Sequence, residues 1–549
     1  MRLDRRNLLI AGAATGAATA WPTGVAAALA PPYRGRLRSN PFTLGVASGD
    51  PDPDGFVLWT RLAVTPLAAD GRGGMPDRVV AVQWELAADA KFRTVVRRGT
   101  VEARPQAAHS VHVELNGLSP GRAFHYRFRA EGHLSRVGRT RTAPARGSSG
   151  GVLNLAFASC SQYEHGYFTA YRHLAQDAPD LVLHLGDYLY EYAPHKYKIS
   201  TGNPRNHRGP ETITLANYRQ RHAQYKTDRD LQAAHAAAPW AVVFDDHEID
   251  NNWADEVPER ADRAFLARRA AALRAYYENM PLRRTSVPRG IDMQLYRRLH
   301  WGRLATVHLL DTRQFRSDQG CGDGYKSCRA AADPARSITG AAQERWLLDG
   351  FARSTARWDL LGQQVPFAQQ DIDSGPATVV TQDGWDGYAA SRDRITRGWL
   401  RAGVRNPVVL TGDVHAHWAC DLKLDYADPT SRTVGTELIC SSITSTGNGT
   451  DVRPARHPWQ RWNPHLRFFN NQRGYVRARL DQDSLTADFR VVPYVTRPGA
   501  AVHTRARFVI EDRAPGVQPV SDVATPGSAA VTTPGRIDPT LGVDGKPLH

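Results

Sequence analysis

The sequence predicts an α/β fold: two sheets flanked by helices, preceded by a small all-β segment of sandwich type. Three observations lead there. Residues 42–146 carry short strand-like runs with turn residues at close spacing. From residue 152 strand-like and helical runs alternate, opening with a β-α-β unit. Three apolar runs far apart in sequence, LHLGDYLY (183–190), VVFDDHEIDNNW (242–253) and VVLTGDVHAHW (408–418), each end in acids or histidines.

Residues 1–30 are expected to stand outside the fold. Arg5-Arg6 precede Leu8-Leu9-Ile10 and a weakly apolar Ala/Gly stretch, and Ala28-Leu29-Ala30 offers a cleavage site before Pro31-Pro32. The paired arginines indicate a twin-arginine signal, and so an exported or cell-envelope protein that engages the twin-arginine translocase. Residues 31–148 are expected to form the β-sandwich domain, with strands within 42–62 and at 79–88, 94–103, 110–115 and 122–130. The run LSPGRAFHYRF (118–128) resembles a late hairpin of fibronectin-type sandwiches.

Residues 149–513 are expected to form the catalytic domain. LNLAFAS and DLVLHLG are continuous apolar runs, as in strands buried on both faces. Helical patterns occupy 166–177, 214–236, 258–279, 340–353 and 388–401. Strands recur near 292–311, 357–362, 407–411, 434–443 and 474–493. From residue 514 the chain is rich in Pro, Gly, Thr and Val without periodicity, which predicts an extended tail.

The 549 residues carry a formal charge of +15, mostly from arginine, and removal of residues 1–30 takes away three arginines and one aspartate to leave +13. Such a surface attracts anionic substrates or envelope polymers. No aromatic-interleaved basic stripe is present, which argues against a nucleic-acid-binding module. No run beyond the signal is long and apolar enough to span a membrane, and a monomer is expected. Of five cysteines, Cys321 and Cys328 bracket a short Gly-rich loop and favour a local disulfide. Cys420 and Cys440, in two strand-like runs, are expected to form a second bridge. That leaves Cys160, at the end of the run LNLAFASC, for a metal to hold as thiolate.

The residue types at the three strand ends are those of a two-metal hydrolytic site. Asp187 follows Gly186 and can bridge two cations through its two oxygens. Tyr190 can return to the same cluster as a phenolate, and phenolate with thiolate favours ferric iron over magnesium. Asp245, Asp246 and Asn252 offer hard oxygen ligands suited to calcium or another divalent ion. Asp413 and His415 are spaced to point together from one strand end. Two metals about 3.5–4 Å apart would lower the pKa of a shared water and clamp phosphoryl oxygens. This chemistry implies a metal-dependent phosphoesterase.

The segment GDYLY matches the Gly-Asp-x-x-Tyr of purple acid phosphatases. FASCSQYEHGYFTAYRHLA (157–175), GDYLYEY (186–192), LANYRQRHAQYKTD (215–228), DDHEIDNNWAD (245–255) and GDVHAHW (412–418) together resemble the PhoD alkaline phosphatases along essentially the whole mature chain. The resemblance implies a four-layer αββα metallophosphatase core holding one Fe3+ and one or two Ca2+. It makes Cys160, Tyr190 and His415 iron ligands with Asp187 bridging. Asp245 or its neighbour Asp246, with Asn252 and Asp413, would hold calcium. His247 and His417 become candidates for proton transfer, and Arg219 or Arg221 for a phosphate clamp. The GNHE and GHxH motifs of the wider superfamily stand here as DDHE and GDVH, so oxygen replaces nitrogen and calcium is favoured over zinc.

The expected reaction is in-line attack of a metal-activated hydroxide on phosphorus, hydrolysing monoesters and diesters without a covalent phosphoenzyme. Ser159 and Ser161 flank the thiolate, but no histidine is placed as their general base. A phospholipase D-type or teichoic-acid phosphodiesterase on the same scaffold is the alternative reading, and a non-catalytic metal- or envelope-binding protein the remote one.

Overall fold

The computed structural model describes residues 36–451 and 457–524; the export-signal segment falls outside them. Two large mixed sheets, of ten and seven strands, carry the fold. At the centre of the larger, Leu153–Ala158, Leu181–Leu185 and Pro239–Val243 run parallel. In the smaller, Ala305–Leu309, Trp358–Gly362, Pro407–Thr411 and Thr433–Ile439 are parallel neighbours. Parallel strands need crossovers, and the helices the sequence predicts supply them. Thr169–Gln176 joins the first two strands and buries Tyr171 and Leu174.

One apolar cluster draws on both sheets and on the helices Thr169–Gln176, Arg229–Ala237 and Phe265–Asn279. The sheets approach closely at Gly362, where a Cβ would stand 3.5 Å from the side chains of Leu183 and Leu185. Truncating such a leucine to alanine costs roughly 2–5 kcal/mol. A second cluster packs the other face of the seven-stranded sheet against the helices Gly340–Ala352 and Ala389–Ala402.

The N-terminal segment is tied into this frame. Val46–Asp52 pairs in parallel with Pro239–Val243, so Val46–Asp52, Gly55–Arg61 and Ser110–Leu115 extend the ten-stranded sheet. Val80–Ala87, Val95–Ala103 and Ala123–Ala130 belong to a separate five-stranded sheet, and a shared apolar cluster joins the two.

Three expectations are corrected. The single helix over 214–236 is two, Leu215–Lys226 and Arg229–Ala237, because extended Asp228 caps the second by accepting from Asp230 and Leu231 N–H. The tail does not begin at 514: Ala514–Asp522 is the last strand of the large sheet, with Val517 buried. Its prolines are tolerated because an edge strand has one side free of ladder bonds. The remainder of the expected tail, from residue 525 on, lies outside the described residues. Only Cys321–Cys328 is bridged, and Cys160, Cys420 and Cys440 are free and buried. Register explains the missing bridge. Cys420 lies opposite Glu437, and side chains alternate between sheet faces. Cys420 therefore joins the outer cluster while Cys440 joins the core between the sheets. Thiol titration of the denatured, unreduced protein is expected to find three reactive thiols; a count of one would restore the second bridge.

Candidate metal centre

The centre is built where the parallel strands of both sheets end. Leu153–Ala158 runs into Cys160, Leu181–Leu185 into Asp187, Pro239–Val243 into Asp245 and Asp246, and Pro407–Thr411 into Asp413 and His415. Ligands at the carboxyl ends of strands follow the general rule for open α/β sheets. Two glycines permit the convergence. A Cβ on Gly186 would fall 2.4 Å from the Cβ of Asp245, and one on Gly412 would fall 2.7 Å from the side chain of Ser159.

Each chain then turns sharply to aim its donors. Cys160, Asp187, Asn252, Asp413 and His415 all have positive φ, between 47° and 64°. A non-glycine residue in this region costs on the order of 1–3 kcal/mol, and five of the expected ligands carry that cost.

Two donor groups meet at Asp187. Cys160, Asp187 and His415 bring donor atoms within 4.8 Å of one another, as do Asp187, Asp246 and His247. Tyr190 belongs with the first group: its hydroxyl donates to Asp187 Oδ2 at 2.8 Å, lies 3.2 Å from His415 Nε2 and accepts from Ser445 Oγ at 2.7 Å. His415 Nδ1 is held by Thr446 Oγ1 at 2.8 Å. In the second group Asp246 Oδ2 accepts the Asn252 N–H at 2.9 Å, while the Asn252 side-chain amide donates to Asp323 at 2.5 Å. Asp246 lies in the shared group, while Asp245 pairs with Arg313 at 2.6 Å through Oδ1 and leaves Oδ2 unpaired.

The electrostatics fit bound cations. Burial raises the Asp187 and Asp413 carboxyls well above their ordinary values, and neighbouring Asp245 and Asp246 raise them further. Burial also raises the Cys160 thiol and the Tyr190 phenol, with Asp187 adding to both. Asp187 Oδ1 and Asp245 Oδ2 are buried with no hydrogen-bond partner. Carboxylate oxygens left dry and unpaired beside a thiol, a phenol and imidazoles form a donor set that positive charge would satisfy. His247 behaves oppositely: burial lowers it, but Asp246, Glu191 and Asp187 carry it well above its ordinary value. Its Nδ1 lies 2.9 Å from Glu191 Oε2.

Two expected catalytic residues are elsewhere. Arg219 is clamped by Glu278, with both carboxylate oxygens at 2.6 Å, and donates to Gln106 O. It has no part in the centre, because its helix presents that residue to the N-terminal segment. Arg221 donates to the carbonyls of Tyr190, Tyr192 and Pro210, and so holds the loop after Asp187. His417 opens the His417–Lys423 strand, where its Nδ1 accepts the Ser441 N–H at 3.0 Å and its ring packs edge-on against Phe489. Burial drives its pKa down to about 3. The one-residue step from Ala416 sends it to the face opposite Trp418, and among the described residues it is absent from both donor groups.

Sequence reasoning missed Glu248 and Arg313. Glu248 Oε2 accepts the N–H groups of Asp187 and Asp245 at 3.0 and 2.9 Å, and Oε1 that of Tyr188 at 2.6 Å, so one carboxylate ties two strand-end turns together. Its place in DDHE, beside the expected ligands, was the available signal. Arg313 binds Asp245 and Asp383, and approaches Asp246 at 3.7 Å. It follows the end of the strand Ala305–Leu309, the same position the ligands occupy on theirs. Asp383 has no such signal.

A buried two-group donor centre at the strand ends of two packed sheets defines a metal-dependent hydrolase. The model described as PhoD-like phosphatase matches residues 155–489, and that of its N-terminal domain matches residues 26–144. Alkaline phosphatase D of Bacillus subtilis (strain 168) is 48% identical over 532 residues, 95% of this chain and 90% of that protein. The solved structure of PhoD, 49% identical, superposes with a TM-score of 0.88 over 90% of this chain and 95% of that one. The chain belongs to the PhoD-like phosphatase family.

Glu248→Gln replaces one acceptor oxygen with a donor against backbone N–H groups and is expected to cost roughly 1–3 kcal/mol in denaturant unfolding; an unchanged midpoint would deny the tie. The raised carboxyls also set a pH dependence in cation-free protein. Their contribution to stability is complete below the unfolded value of about 4. It is lost as pH rises through the folded values, about 6 for Asp245 and about 8 for Glu248. Chelated protein is expected to lose thermal stability across that window, whereas cation-loaded protein, whose carboxylates are held ionised, keeps it. Parallel melting curves for the two forms would contradict this.

Proposed function

We infer that the chain is a phosphoesterase of the alkaline phosphatase D type, a hydrolase acting on phosphate esters. The observation that carries the reading is Asp187 standing at the junction of two buried donor groups of different character. Thiol, phenol and imidazole on the Cys160 side support a ferric ion, and the acids around Asp246, with Asn252 and Asp413, support calcium. When bound, such cations lower the pKa of an attacking water and hold positive charge against the phosphoryl oxygens.

The chain's own residues do the rest. Cys160, Tyr190, His415 and Asp187 would hold one cation, and Ser445 and Thr446 hold the phenol and imidazole in orientation. Arg313 balances the acids at Asp245 and Asp246. His247 keeps a proton on Nδ1 toward Glu191, and its Nε2, 4.0 Å from Asp246 Oδ2, can protonate the leaving alcohol. Monoesters and diesters both meet this chemistry.

Arg5-Arg6 supports export by the twin-arginine route; among the described residues no helix is long and apolar enough to cross a membrane. Helices on the outer faces of two sheets that share a core support the four-layer αββα reading, and the two family matches support a boundary near residues 148–149.

Metal analysis with visible spectroscopy tests the assignment. Cys160→Ser and Tyr190→Phe are each expected to lose iron and the charge-transfer band together with activity. His247→Asn is expected to keep the iron and lower kcat by roughly 10²–10⁴-fold. A colourless wild-type protein active with zinc alone would remove the iron, and full activity in His247→Asn would remove the proton donor.

A further inference from the structure

The loop closed by the Cys321–Cys328 disulfide reaches one of the expected ligands through Asp323, which accepts from the Asn252 side chain. We propose that Asp323 is a positioning residue for the calcium side of the centre: it fixes the Asn252 carboxamide so that Oδ1 is the atom offered to the cation. The proposal rests on the metal-dependent phosphoesterase reading and adds to it a residue, outside both donor groups, that sets the affinity for one cation.

The first observation is how Asn252 is held. Its N–H donates to Asp246 Oδ2 at 2.9 Å, which seats it beside the donor group of Asp187, Asp246 and His247. Its main-chain carbonyl accepts from Gln319 Nε2 at 3.0 Å, and its Nδ2 donates to Asp323 Oδ2 at 2.5 Å. Three of its four polar groups are thereby taken, and among the described residues no donor reaches Oδ1. The nitrogen and oxygen of a carboxamide diverge from one planar carbon, so anchoring the nitrogen on Asp323 turns the oxygen away from the loop. Amide oxygen is among the ligands that calcium takes, and amide nitrogen is not. The side-chain torsion that exchanges the two atoms is broad and roughly two-fold in asparagine. An unanchored carboxamide would therefore present either atom.

The second observation is what fixes Asp323. Its Oδ1 accepts the Gly324 N–H at 3.0 Å, Gly324 O accepts the Gln382 N–H at 2.9 Å, and Tyr325–Lys326 pairs antiparallel with Val380–Thr381. The same segment meets Asn252 a second time through Gln319, whose Nε2 also donates to Asp383 Oδ1 at 3.1 Å. Asp383 in turn binds Arg313, so the segment is joined to the acids of the centre at both contacts. It has little packing of its own, since Cys321, Gly322, Lys326 and Ser327 are exposed. Covalent closure takes the place of a core there: the bridge spans the segment, and Lys326 Nζ donates to Cys321 O at 2.7 Å across it. The disulfide thus serves the centre through Asp323, as the outer hydrogen-bond partners of metal ligands generally do.

The test is calorimetric titration of calcium into the whole enzyme, iron-loaded and stripped of calcium. Asp323→Ala is expected to weaken calcium binding roughly 10–100-fold. Asp323→Asn keeps an acceptor oxygen for Asn252 Nδ2 without the charge and is expected to restore most of the affinity. Cys321→Ser/Cys328→Ser is expected to weaken binding in the wild-type background and to change it much less when Asp323 is already alanine, since the loop acts through that residue. The visible band of the Cys160 side is expected to stay in every variant. Wild-type calcium affinity in Asp323→Ala, or an Asp323→Asn as weak as Asp323→Ala, would overturn the positioning role with the phosphoesterase reading intact. Loss of the visible band in Asp323→Ala would overturn it too, as a general collapse of the centre. The expected calcium affinities in a wild-type enzyme that hydrolyses no phosphate ester would support the positioning role and overturn that reading.

Discussion

Everything at the centre of this protein derives from burying like charges together. Asp187, Asp246 and Asp413 lie out of water beside a thiol and a phenol, where each negative charge raises the cost of the next. Without cations the carboxyls relieve this by holding protons; to stay ionised they need counter-charge. The protein supplies part of it in Arg313, fully buried and shared among Asp245, Asp246 and Asp383. The remainder falls to cations, so the folded state and the loaded state are energetically coupled. A family whose chemistry needs charge focused on phosphorus has placed that need inside its own stability.

The scaffold meets the cost by rigid geometry. Parallel strands from two sheets converge their carboxyl ends, glycines at 186 and 412 allow backbone and side chains to approach, and Glu248 ties two of the turns by three backbone N–H groups. Within this frame five non-glycine residues persist at positive φ. His247 sits between the two environments this creates. On one side it meets the acids of the centre, and on the other Glu191 and a tyrosine-lined cavity.

Much of this was legible from residue order alone. Strand and helix positions follow from apolar periodicity, which is local, and the ligand types could be placed at strand ends because a strand's end is visible as the end of its apolar run. Cys160, Asp187, Tyr190, Asp246 and His415 were named on that basis, and the structure brings them together. The failures among side-chain assignments share one cause. Arg219 lies on the helix between two ligand-bearing segments and His417 two residues beyond His415, but helix and strand phase turn them to other neighbours. Cys420 and Cys440 sit on adjoining strands, and the sheet register sends them to opposite faces.

By itself, then, the sequence determined the order of elements, the kinds of donor and the strand ends that carry them, since each depends on residues within a few positions of one another. That Arg313 pairs with Asp245, that Glu248 binds two turns, and that Glu191 lines a cavity were decided only by tertiary structure. Those outcomes depend on side-chain direction and on contacts between residues 56 to 68 positions apart, and direction is set by packing rather than by composition.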